Sequence, residues 1–138
     1  MRGIRVFFGI GLLLLCAGEL FQMFSQQKIA PRQTPIAYDN SSQETVQGKI
    51  QEVREYACPV TGATGSHITV KTTEGAVEVH LAPAKFLKEY EISFKPGEDV
   101  KVVGAKATVD GKPGVLAKTV TVGQDTFVFR DDHGKPLW

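Results

Sequence analysis

Five stretches of alternating polarity and one helical stretch follow one another in a fixed order, and that order constrains the fold more than any single residue does. His67–Thr73 puts Ile68, Val70 and Thr72 on one side and His67, Thr69 and Lys71 on the other. Ala76–Leu81 repeats the pattern, with Val77, Val79 and Leu81 against Glu78 and His80. A period of two is the mark of a half-buried strand. Pro83–Tyr90 breaks it, spacing Phe86, Leu87 and Tyr90 as a helical stripe behind a proline at an early helical position, where its missing donor costs nothing. A strand over Val46–Tyr56 precedes these stretches, with Val46, Ile50 and Val53 apolar and Gly48 allowing a bend. Two more follow. Asp99–Val109 has Val100 and Val102 inward and a bulge expected at Gly104; Gly114–Val122 has Leu116, Val120 and Val122 inward. Between them Asp110–Gly114, DGKPG, is a hairpin turn.

Strand, strand, strand, helix, strand, strand is the order of a five-stranded OB-fold-like barrel, all-β with one short helix. The barrel is expected over residues 46–122. A C-terminal extension, 123–138, carries a strand at Thr126–Arg130 and a polar turn at Asp131–Gly134. Its Phe127, Phe129 and Trp138 are too many aromatics for a free tail and should pack on the barrel wall.

Ahead of the barrel stand two segments of different character. Residues 1–24 read as a hydrophobic helix with a basic start, Arg2 and Arg5, and an apolar run VFFGIGLLLLCAG. As a signal peptide the segment would be cut after Cys16-Ala17-Gly18. As an uncleaved anchor it would run through Phe24, about 19 residues against the ~20 that span a bilayer. In both cases the barrel is exported. The expected location is the bacterial inner membrane, single-pass with the barrel in the periplasm, or the periplasm or a vesicle lumen if the chain is cleaved or sorted. Residues 25–45, rich in Gln, Ser, Pro and Thr, read as a flexible linker.

The chain has 16 basic and 15 acidic residues. Setting aside Arg2, Arg5 and Glu19 leaves the exported part with fourteen of each sign. No basic cluster is available to neutralise phosphates, so nucleic acid is not an expected partner. Of the 2 cysteines, Cys16 lies in the leader, which leaves Cys58 without an intradomain disulfide partner. It reads as a small buried hydrophobe, a metal ligand or an intermolecular thiol.

OB barrels bind ligands across strands two and three, between the first loop and the last hairpin. Here that face offers His67, Thr69, Lys71, Glu78 and His80 as a ligand or partner face, with no aromatic in it for base stacking. A turn at Glu74-Gly75 would pair Val70 with Val79, Lys71 with Glu78 and Thr69 with His80, leaving His67 diagonal to His80. The two histidines, with Cys58 reaching in from the preceding loop, would suit copper or zinc. Two solvated surface histidines are the plainer reading.

The runs GSHITVKTTEGAVEVHLAPAKFL and DVKVVGAKATVDGKPGVLAKTV and the ending FRDDHGKPLW resemble a group of small exported bacterial OB-fold proteins. The group's shape is G-x-H, an alternating strand, V-H-L, then a Pro-led helix. His67 and His80 occupy its two histidine positions, while Ala84 departs from its helix entry. More distantly the chain is similar to bacterial envelope OB-fold stress proteins. Its build also resembles accessory proteins of specialised bacterial membranes, respiratory or magnetosome. The resemblance implies a fold and a compartment but no activity.

Catalytic motifs are missing: no C-x-x-C, C-x-x-C-H, H-E-x-x-H, G-x-S-x-G or P-loop occurs. The chain is therefore expected to be no enzyme, with no catalytic residues. The first expectation is a membrane-tethered extracytoplasmic binding module, accessory to an envelope protein complex. The alternative is a metal-handling or redox accessory protein using His67, His80 and Cys58.

Overall fold

The computed structural model describes residues 36–138; the expected leader, 1–24, and most of the expected linker lie outside them. Six strands and one helix follow in order: β1 (Gln43–Cys58), β2 (Ala63–Thr72), β3 (Gly75–Pro83), α1 (Ala84–Glu89), β4 (Asp99–Val109), β5 (Lys112–Val122) and β6 (Asp125–Val128). Among the described residues no helix is long and apolar enough to cross a membrane.

β1 is 16 residues long and serves two neighbours. Gln43–Lys49 pairs antiparallel with β4, and Lys49–Cys58 pairs antiparallel with β2. The strand turns from one partner to the other around Gly48, where any Cβ would collide with the Lys71 carbonyl. An irregularity between Ile50 and Glu52 completes the bend. β2 pairs with β3, β4 with β5, and a short parallel pairing of β3 with β5 closes the ring. This is the OB arrangement expected from the element order. β6 adds to the outer edge of β5.

Ile50, Ile68, Val70, Val79, Val102 and Val120, all at most 1% exposed, fill the barrel. α1 lays Leu87 into this core, and past its Tyr90 cap Glu91 adopts the left-handed backbone at φ 54°. The C-terminal aromatics join the same core as expected: Phe129 is fully buried, Phe127 meets Phe94 edge-on, and Trp138 meets Phe86. Arg130, also buried, lies over the rings of Tyr38 and Trp138 and donates to the Gly134 carbonyl at 2.9 Å.

Three details differ from expectation, each for a local reason. The β2–β3 turn is Thr73-Glu74, one residue earlier than expected. The Thr72 hydroxyl donates to the Gly75 carbonyl at 2.8 Å and accepts from the Glu74 amide at 3.2 Å. Ile68 therefore faces Val79, Val70 faces Val77 and Thr69 faces Glu78. A two-residue slip leaves every side chain on its own face, so hydrophobic alternation cannot detect it. Lys71 consequently faces Ala76, and the ion partner of Glu78 is Arg54, at 2.8 Å. Finally, the bulge expected at Gly104 is present, with Lys118 as the extra residue on β5. Parity thus changes along β5: Val115, Ala117 and Val120 point into the barrel. Leu116 belongs instead to a second apolar cluster with Cys58, Val60 and Val109.

At Gly104 a Cβ would collide with the Leu116 carbonyl and the Val115 side chain. Gly104→Ala should lower the stability of the full chain by about 2–3 kcal/mol, read as the midpoint of urea unfolding. An unchanged midpoint would contradict this account of the bulge.

Candidate metal centre

Continuing β1 to Cys58 places Arg54, Tyr56 and Cys58 at alternate positions, hence on one face. Across the ladder Arg54 faces His67, Tyr56 faces Gly65 and Cys58 faces Ala63. On the other side of β2, His67 faces His80 directly rather than diagonally. The Thr73-Glu74 turn sets this register and brings the two imidazoles opposite each other; beyond them a shift between Ser66 and His67 leaves Leu81 as the extra residue of β3. Three adjacent strands thus deliver one thiol and two imidazoles to one spot. Their ligand atoms all lie within 4.8 Å of one another. Cys58 Sγ is 3.5 Å from His80 Nδ1, and the two imidazoles meet edge-to-face at 4.8 Å.

The histidines are not solvated surface groups. His67 is 1% exposed, Cys58 4% and His80 6%. The turn after β1 contributes Val60, β4 contributes Val109 and β5 contributes Leu116, which form the second apolar cluster around Cys58. Tyr56 stacks flat on His67, ring centroids 3.7 Å apart and 7° from parallel. Two glycines leave the room this packing needs. A side chain at Gly65 would press on Cys58 and His67, and one at Gly114 would press on His80.

Tyr56 is held by its phenol, which donates to one Glu78 oxygen while Arg54 donates to the other at 2.8 Å. Arg54, Tyr56, Glu78, His80, Asp110 and Lys112 line the cleft in front of the site. Of the residues expected on this face, His67 and His80 enter the centre and Glu78 fixes its cover. Thr69 is half-buried beside Glu78, and Lys71 is exposed farther along the strand; neither is among the clustered donors. Arg54 and Tyr56 were not in the expected face. Their signal was the two-residue spacing from Cys58, legible only with β1 extended past Tyr56. His133 lies in a closed polar turn, where Asp131 Oδ1 accepts from the amides of His133 and Lys135 at 2.9 Å each.

Burial decides the protonation of the three donors. His67 is pushed down to about 4, first by burial, then by the proximity of His80. His80 is lowered too, again by burial first, with Glu78 and Asp110 opposing. Both rings are therefore neutral at pH 7 and offer lone pairs. Burial raises Cys58, while the amides of Val60 and Thr61 pull the other way. Tyr56 is kept protonated far above its usual range, by burial and then by Glu78. The Arg54 carbonyl stands near the His67 ring and favours its proton, yet neither His67 nitrogen reaches hydrogen-bonding geometry with any group.

A buried polar atom without a partner costs about 1–3 kcal/mol, so His67 calls for an explanation. Thiolate and imidazole are the donors that zinc and copper prefer. Bonds of 2.0–2.3 Å put donors about 3.3–4.0 Å apart, so donors at most 4.8 Å apart need to close by no more than about 1.5 Å. The residues present fit such an ion.

The sequence profile of the MamS/MamX magnetosome protein family matches residues 42–127. No curated protein matches the chain. Among solved structures the chain is similar to the Stn1-Ten1 complex of S. pombe, at 17% identity over 60% of this chain and 59% of that one, TM-score 0.47. It is also similar to asparaginyl-tRNA synthetase from Pyrococcus horikoshii, at 12% over 64% and 20%, TM-score 0.47. A third likeness is to the mitochondrial single-stranded DNA binding protein Rim1 of S. cerevisiae, at 11% over 65% and 98%, TM-score 0.47. The chain spans under two thirds of the length of the first two, and likenesses this remote carry no functional argument.

The sign of the pH dependence follows from His67. Between its unfolded value of 6.5 and its folded value of about 4, the unfolded state binds a proton that the folded state does not. His67's contribution to stability is complete above pH 6.5 and is lost as pH falls toward 4. Urea unfolding of the metal-free full chain should show a decline of about 3 kcal/mol over that window. His67→Phe should flatten it, and equal slopes in the two proteins would contradict the assignment.

Proposed function

This chain belongs to the MamS/MamX magnetosome protein family, and on that premise we propose that it is a magnetosome-membrane accessory whose barrel holds a transition-metal ion. The observation that carries the metal reading is the convergence of Cys58, His67 and His80 in a buried site where His67 has no other partner. In this reading the apolar N-terminal run tethers the chain, and the barrel works on the far side of the membrane, in the periplasm or a vesicle lumen.

The chemistry asked of the protein is binding. Cys58 supplies the negative charge, and His67 and His80 supply neutral lone pairs. The Arg54 carbonyl, near the His67 ring though outside hydrogen-bonding geometry, is the acceptor that the second nitrogen would turn to once the first holds an ion, the support that metal-bound imidazoles usually have. Tyr56, clamped by Glu78 and Arg54, closes the site on the cleft side. No residue is placed as a catalyst, and the reading is of a carrier or electron-handling accessory rather than an enzyme.

A second reading, a module that docks on an envelope protein, has its own observation. Tyr90, Val128 and Leu137 are exposed at 66%, 49% and 49%, and they share one apolar groove with Phe86, Ile92 and Phe127. Such a patch on an exported domain suits a protein contact. The two readings occupy different parts of the molecule and can be tested apart.

Purified full chain in detergent should take up one equivalent of Cu(I) or Zn(II), with a rise in unfolding temperature. Cys58→Ser and His80→Asn should each weaken uptake by at least about 100-fold, while Leu137→Glu in the groove leaves it unchanged. A folded chain that takes up neither ion would refute the metal reading.

A further inference from the structure

We propose that the centre is selective for univalent copper, held by Cys58, His67 and His80 as a three-coordinate, electrically neutral cluster. The inference rests on the metal reading above and adds the identity and charge of the ion.

Donor number is the first ground. Among the described residues, one group of three His, Cys, Asp or Glu side chains converges, and it is this one. The nearby carboxylates are not in it. Glu78 is committed to Tyr56 and Arg54, and Asp110 is exposed on the hairpin turn. Structural zinc is held by four protein ligands, and catalytic zinc keeps a fourth position for water. Cu(I) is satisfied by few, soft donors, and a thiolate with two imidazoles is such a set.

Charge is the second ground. Binding replaces the Cys58 S–H bond by an S–Cu bond and releases one proton to solvent; both imidazoles bind through existing lone pairs. Cu(I) plus one thiolate is neutral, whereas a divalent ion plus one thiolate leaves a net positive charge. That charge would sit among Val60, Val109 and Leu116 and under the Tyr56 ring, with all three donors at most 6% exposed. An uncompensated buried charge is strongly unfavourable. Glu78 offsets it only in part, from the rim and with Arg54 paired to it at 2.8 Å.

The test uses full chain in detergent under anaerobic conditions, with Cu(I) supplied against a chromophoric Cu(I) chelator and Co(II) as the spectroscopic stand-in for divalent ions. We expect one equivalent of Cu(I), weakened at least about 100-fold by Cys58→Ser and by His67→Gln. Circular dichroism should show both variants to be folded. Tenfold excess Co(II) or Zn(II) should give no binding that depends on Cys58, and Co(II) no thiolate-to-cobalt charge-transfer band. A Cys58-dependent, four-coordinate cobalt spectrum at one equivalent would overturn the selectivity and leave the metal reading standing. Failure of all three ions to bind would overturn both.

Discussion

His67 lies under the Tyr56 ring, 1% exposed, with neither imidazole nitrogen hydrogen-bonded. The rest of this end of the molecule is organised around that unsatisfied group. Its burial keeps the ring neutral and leaves its lone pair available at pH 7. The apolar cover of Val60, Val109 and Leu116 belongs to a second, smaller core outside the barrel. An isolated polar group in such a place is destabilising, and an ion that accepts its lone pair turns the same burial into binding energy.

A turn and a bulge create the site. The Thr73-Glu74 turn makes the histidine pair directly opposed rather than diagonal, and the extra residue Lys118 turns Leu116 out of the barrel to cover it. Bulges commonly re-aim side chains next to functional sites. Glycines permit the close approaches that follow, at Gly65 beside Cys58 and at Gly114 beside His80.

Strand order, the Gly48 bend, the Gly104 bulge and the packing of Phe127, Phe129 and Trp138 were all legible in the sequence, because each has a local cause: alternation, a missing Cβ or an excess of aromatics. His67, His80 and Cys58 were legible as residue types suited to one ion. Their arrangement was not. A two-residue slip between β2 and β3 preserves every face, so only the Thr72 hydrogen bonds of the folded turn distinguish the registers. The burial of the histidines depends on covering residues from β4 and β5, far away in sequence. The parts of Arg54 and Tyr56 were hidden because β1 runs two residues beyond the point where its alternation fades. The family profile adds the magnetosome setting, which no residue pattern in the barrel carries by itself.

X-ray absorption at the metal edge of the loaded full chain tests the central claim most directly, because it reads the donor atoms themselves. One sulfur at about 2.2–2.3 Å and two imidazole nitrogens at about 2.0 Å are predicted, with the sulfur contribution absent in Cys58→Ser. A first shell of oxygen and nitrogen alone, or one that Cys58→Ser leaves unchanged, would contradict the account.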